Sequence, residues 1–400
     1  MKHLTAILLL LALLLCGCSQ IYLPQGASSS ETSAPTAARE TLPPETEAVA
    51  TEATVPETQP LSLPEQLCAE MTLEEKIGQL FLARCPDSDA ASEVERYHLG
   101  GYILFGRDFA DTSKADVIAN IESYQAAAEI PLLIAVDEEG GTVNRVSWYT
   151  EFRDEPFHSP RYLYQQGGLD AILENEAEKC SLLKELGINV NMAPVCDIST
   201  DPDAFMYDRS LGEDPSTTAT FAAKVVEEMN GFQMGSVLKH FPGYGNNDDT
   251  HIGIAVDGRS LEELESRDLI PFHAGMDAGC GAVLVTHTIV ECLDSAYPAS
   301  LSPAVHQYIR DEMGYHGVII TDDLAMDAIT DLYGDGEAAV LAILAGNDLL
   351  CSTYYQSQYS AVLEAVQDGT IPMERIDEAV LRVLEWKDTL GLWEQPERFT

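Results

Sequence analysis

Basic residues are scarce in this chain: 22 lysines and arginines face 66 aspartates and glutamates, a formal charge of −44 over 400 residues. With no cationic patch to neutralise phosphates, nucleic acid and anionic lipid surfaces are excluded as partners. The sequence also lacks a Cys-x-x-C pair, a Walker-type Gly-Lys-Ser/Thr loop and the glycine fingerprint of a dinucleotide site. Neither zinc nor a nucleotide is therefore expected, and no cofactor is implied. Long apolar runs are missing too. The stretch from Leu4 to Leu15 is too short to span a bilayer permanently. Its basic start and the small residues after it mark a secretory signal.

Leu15-Cys16-Gly17-Cys18 has the form of a bacterial lipobox. That form implies cleavage before Cys18, lipid on the Cys18 sulfur, and an extracytoplasmic protein held to the cell membrane only by that anchor. The alternative is an ordinary signal peptide with incidental cysteines. Cys68, Cys85, Cys180, Cys196, Cys280, Cys292 and Cys351 are scattered, and an odd number leaves at least one thiol free. They are expected to pack as small apolar side chains, and no disulfide is assigned.

Residues 1–17 thus read as signal peptide. Residues 18–63, rich in Ser, Thr, Pro, Glu and Ala, read as the modified cysteine and a disordered tether, because they cannot bury enough apolar surface to offset their ordering entropy. Residues 64–400 have globular composition with no second linker, which predicts one domain and a monomer. Within them, strand-length apolar runs alternate with helix-period stretches. The strands are expected at Gly78–Ala83, Gly101–Phe105, Pro131–Val136, Ile188–Pro194, Ser236–His240, Ala282–Thr286, Gly317–Thr321 and Asn347–Cys351. Helices are expected between them, among others at Ser113–Ala127, Leu169–Leu186, Thr217–Asn230, Ser260–Gly279, Pro303–Met313 and Asp327–Ala345. Near-continuous apolar strands alternating with helices indicate a parallel sheet buried on both faces. Eight such units predict the α/β class and a (β/α)8 TIM barrel, whose chemistry sits at the C-terminal strand ends.

Those ends carry charge. Lys239-His240-Phe241-Pro242-Gly243 opens a loop that holds Asp249-Thr250-His251. In extended chain, residues two apart face the same way, so Asp249 can orient the His251 ring and stabilise its charged form. Such a dyad carries protons near neutral pH. A capped aspartate beside a surface histidine, or a pair of metal ligands, has the same spacing. Asp322-Asp323 ends another apolar run: one carboxylate can face the mouth while the other caps the next helix, or both can be caps. Asp137 precedes Gly140-Gly141, where a structural turn and a sugar-gripping acid are equally compatible with the local sequence.

Taken together, Asp-x-Glu-Gly-Gly at 137, Asn-x-Asn-x-Ala-Pro-Val-x-Asp at 189, Asp-Arg-Ser-Leu-Gly at 208, Lys-His-Phe-Pro-Gly-x-Gly at 239 followed by Asp-x-His, and Thr-Asp-Asp-Leu-x-Met at 321 resemble glycoside hydrolase family 3. The resemblance is strongest to its β-N-acetylglucosaminidase branch and covers the globular part in family order. It implies a retaining exo-enzyme removing terminal N-acetylglucosamine from cell-wall or other amino-sugar glycans. In that mechanism Asp322 is the nucleophile, His251 the acid and then base, and Asp249 its orienting partner. Asp137, Arg145, Arg209, Lys239 and His240 would bind the sugar. Tyr244 and Thr142 depart from residues common in the family, His and Arg respectively, which bears on loop contacts and aglycone preference. Competing readings are another family 3 β-glycosidase, an N-acetylglucosamine phosphorylase, and a silent sugar-binding lipoprotein.

Overall fold

In a computed structural model of the chain, residues 61–245, 247, 250 and 253–393 are described, all within a compact unit spanning Gln59–Thr400. The proposed signal peptide, Cys18 and the tether as far as residue 60 lie outside the described residues, as do Asp249 and His251.

Ten strands follow in chain order: β1 Phe81–Arg84, β2 Gly101–Leu104, β3 Leu133–Val136, β4 Val190–Asn191, β5 Gly235–Phe241, β6 Val256–Asp257, β7 Ala282–Val285, β8 Ile289–Val290, β9 Val318–Thr321 and β10 Leu350–Ser352. Eight form one sheet in the order β10-β1-β2-β3-β4-β5-β7-β9, each adjacent pair parallel. An isolated parallel bridge between Ile320 and Leu349 draws β9 to β10 and all but closes the ring. The remaining two, β6 and β8, pair with each other beside the barrel. The fold is the expected (β/α)8 barrel.

Alternation of side chains along each strand builds two cores. Leu82, Ile103, Leu133, Ala135, Val190, Val237, Ala282, Val318 and Ile320 fill the interior, joined at one end by Val383 and Trp386 of the last helix, Met373–Thr389, and by Leu390 that caps it. Their neighbours Phe81, Tyr102, Ile134 and Val136 face outward into the helical layer, as do Val283 and Ile319. Trp386 plugs the floor closely: a Cβ at Gly281 would lie 1.9 Å from its Nε1.

Each expected strand is present, with shifted ends. At the first, Gly78 and Gln79 belong to the helix Leu73–Gln79 and β1 begins at Phe81, and the expected strand Ile188–Pro194 shortens to Val190–Asn191. A capping box between Thr72 and Glu75 starts that helix, and Gly78 lets it approach the Tyr97 carbonyl. The expected helix Asp327–Ala345 is two, Asp327–Thr330 and Asp335–Ala345, with Gly334 capping the second. Of the seven described cysteines, all free, only Cys292 is exposed. No helix among the described residues is long and apolar enough to cross a membrane.

Candidate active site

Strand parity decides what faces the barrel mouth. Leu133 and Ala135 point inward, so Asp137 two residues on does as well; Val318 and Ile320 put Asp322 on the same side. Leu82 does so for Arg84 and Ile103 for Phe105. On β5 the register slips between Leu238 and Phe241, and Lys239 and His240, consecutive residues, both reach the interior. The result is a cavity of about 610 Å³, a size suited to a small organic ligand. Asp137, Arg145, Arg209, Lys239, His240 and Asp322 all line it, with Glu139, Asp208 and Phe205 beside them. Six of the eight expected catalytic and sugar-binding residues therefore share one mouth; the other two, Asp249 and His251, are not among the described residues.

The neighbouring acids Asp322 and Asp323 take different tasks. Asp323 accepts from Thr353 Oγ1 at 2.6 Å, Thr353 N at 3.2 Å and Ala325 N at 3.0 Å, which secures the loops after β9 and β10. Asp322 Oδ1 accepts the Asp323 amide at 2.9 Å while the residue lines the cavity. Both residues line the cavity, and the three hydrogen bonds that Asp323 accepts make it the structural member of the pair.

The cations are held by a dense ionic array. Lys239 Nζ lies 2.6 Å from Asp137 Oδ1 and 2.7 Å from Glu139 Oε1. Arg209 grips Glu139 with two bonds, Nε to Oε2 at 3.0 Å and Nη2 to Oε1 at 2.7 Å, geometry suited to a planar guanidinium. Burial disfavours charge at all three groups, yet their partners overcome it. Arg209 and Lys239 hold the Glu139 carboxyl well below the usual range, while Asp137 and Glu139 raise Lys239 and Glu139 raises Arg209. All three are consequently charged at neutral pH.

The turn after β3 is shaped by Glu138, whose carboxylate accepts the amides of Arg145 and Val146, each at 2.7 Å, and the hydroxyl of Ser147. Gly140 and Gly141, with φ of 98° and 68°, permit it: a Cβ on Gly140 would meet the His158 carbonyl oxygen at 2.2 Å. Arg145 is thereby brought to the cavity wall. Thr142 lines the same wall, and Tyr244 is buried against Val195 and Met206 with its ring 5.7 Å from that of Phe205. The Tyr244 departure is thus a packing residue behind the site.

Sequence reasoning assigned no role to Glu139 or Asp197, the two acids that position the cations and the imidazole. Parity offered a signal for Glu139, which stands two residues beyond Asp137. Asp197 ends the motif that begins at Asn189, but its partner His240 is 43 residues away and nothing local pointed to it.

A parallel barrel with an acid, an imidazole and paired cations around one polar mouth is the arrangement of a barrel enzyme with its site at the C-terminal strand ends. The family described as Glycosyl hydrolase family 3 N terminal domain matches residues 72–386, and the chain belongs to that family. A beta-hexosaminidase LpqI of Mycobacterium tuberculosis (strain ATCC 25618 / H37Rv) is 31% identical over 399 residues, 96% of each chain. A beta-hexosaminidase of Xylella fastidiosa (strain M23) is 36% identical over 242 residues, 59% of this chain and 70% of its own. The solved structure of a glycoside hydrolase family 3 beta-N-acetylglucosaminidase from Paenibacillus sp. str. FPU-7 superposes with a TM-score of 0.76 at 33% identity, over 80% of this chain and 63% of that one. The structure of M tuberculosis LpqI gives 0.74 at 30% identity, over 81% and 96%.

Proposed function

We propose that this glycosidase is a retaining exo-β-N-acetylglucosaminidase acting on amino-sugar glycans, with those of the cell wall as the natural class. The observation that carries the reading is the placement of Asp322 in one cavity with Asp137, Arg145, Arg209, Lys239 and His240. The names of its relatives support the sugar. In the first step Asp322 attacks the anomeric carbon and forms a glycosyl ester, while His251, oriented by Asp249, gives its proton to the departing oxygen. In the second step His251 takes a proton from water, the hydroxide oxygen bonds to the anomeric carbon, and Asp322 leaves as carboxylate. The surrounding cations and acids bind the sugar hydroxyls and hold the ring in place.

Hydrolysis of an N-acetylglucosamine-containing disaccharide, with product anomers followed by NMR, tests the reading. Release of the β-anomer first is expected; initial release of the α-anomer, or no cleavage, overturns it. Cys18 is the proposed lipid attachment point, placing the enzyme outside the cytoplasm on the cell membrane. Cys18→Ala should abolish labelling by a radiolabelled fatty acid and move the protein to the soluble fraction.

A further inference from the structure

We infer that Asp197 is a positioning residue that sets the sugar-binding groups through His240; this rests on the proposed sugar subsite. Asp197 is 1% exposed, follows the β4 segment, and uses both carboxylate oxygens. Oδ2 accepts the His240 ring Nδ1 at 2.8 Å and the His240 amide at 3.1 Å, and Oδ1 accepts the Tyr244 amide at 2.7 Å. The other ring nitrogen, Nε2, lies 3.1 Å from Arg209 Nη2. A guanidinium can only donate and a carboxylate only accept. His240 is therefore neutral, with its proton on Nδ1 and its Nε2 lone pair on Arg209.

This orders one continuous chain of polar groups: Asp197 to His240, His240 to Arg209, Arg209 to Glu139, Glu139 to Lys239, and Lys239 to Asp137. Each link fixes the next, because each donor is charged or tautomerically fixed and the groups are buried or nearly so. His240 consequently supplies no proton to the sugar. It holds Arg209 in place, and Asp197 holds His240. Asp197→Asn strains the scheme at its origin, since one side of the amide must present N–H groups to another donor, either His240 or the Tyr244 amide, and the charge that orders the ring is lost.

Long-range ¹⁵N NMR of the histidines, with N-acetylglucosamine binding by calorimetry, tests this. The wild type should show His240 as the neutral Nδ1–H tautomer, and that signal should shift or be lost in Asp197→Asn. The same variant should bind N-acetylglucosamine about 10- to 100-fold more weakly while still melting cooperatively, the scale of a lost hydrogen bond to a charged group. On a His240→Ala background, Asp197→Asn should add less than about twofold, because it acts through the missing ring. An Nε2–H or doubly protonated His240 in the wild type overturns the inference, as does unchanged affinity in Asp197→Asn or an equal loss on both backgrounds. If Asp197→Asn does not fold, the wild-type tautomer decides. If the wild type does not bind N-acetylglucosamine, the sugar reading fails and the NMR result alone judges the relay.

Discussion

Asp348 at the floor of the barrel meets three guanidinium groups: Arg310 at 2.5 Å, Arg375 at 2.8 Å and Arg382 at 2.9 Å. Further donors of Arg310 and Arg375 go to backbone carbonyls, among them Tyr315, Gly317 and Asn347, and Arg375 also pairs with Glu378, so the cluster ties the last helix to the start of β9 and β10. At the mouth the same residue types are arranged around open space. Asp137, Lys239 and Arg209 pair on one side and face a cavity on the other. At the floor one buried carboxylate is shared by three cations and serves stability; at the mouth the paired charges border open space that can take a ligand. Counting ion pairs does not distinguish the two ends, whereas asking what each unpaired side faces does.

The comparison is sharpest at the mouth. Asp322→Asn should lower kcat on an aryl N-acetylglucosaminide by on the order of 10⁴-fold with an unchanged melting temperature, since it removes a nucleophile and little packing. A loss of less than tenfold would move the nucleophile elsewhere. His251→Ala should slow a disaccharide by about 100- to 10,000-fold and an activated aryl substrate far less, because a good leaving group needs no proton. Equal losses would remove His251 from the acid role.

At the floor the expectation reverses. Asp348→Ala leaves three buried or half-buried guanidinium groups without their shared carboxylate, and should cost roughly 3–5 kcal/mol by denaturant titration while the folded fraction keeps its kcat. A stable but inactive variant would contradict the division of labour.

The smallest expected effect concerns Lys387, also near the floor, fully buried and bonded to Gln79 Oε1 at 2.6 Å. Burial pushes its amine down to about 7. The unfolded chain therefore binds the proton over a range where the folded chain does not, so stability should rise from about pH 7 towards the ordinary lysine value near 10.4. Below about pH 7 both states are protonated and this contribution is flat. Lys387→Met should be more stable at neutral pH by a few kcal/mol at most and lack that rise, as read from melts across the range. An unchanged pH profile would mean that water reaches the amine.

Much of the barrel was legible because its signals are local. Apolar runs such as Leu132–Val136 and Val318–Thr321 are strand-like in themselves, and acids at their ends mark the mouth. The misplaced start of β1 arose from a short apolar run beginning inside a helix, where the capping box at Thr72 was the better guide. Asp322 and Asp323 could not be separated from local sequence, since either can cap or catalyse; the bonds Asp323 accepts from Thr353 and Ala325 assign them. Asp197 and Glu139 escaped for another reason, that their partners are brought close only by the pairing of β3, β4 and β5 side by side.

By itself, the sequence determined the class of the fold, the order of its strands along the chain, the family motifs and the excess of acid, all properties carried by neighbouring residues or by composition. Tertiary structure alone decided which of two adjacent carboxylates is tied to the neighbouring loops, which acids hold Lys239, Arg209 and His240, and which three guanidinium groups share Asp348. Those outcomes depend on distances between segments tens to hundreds of residues apart, which become definite only when parallel strands lock in register and the barrel closes.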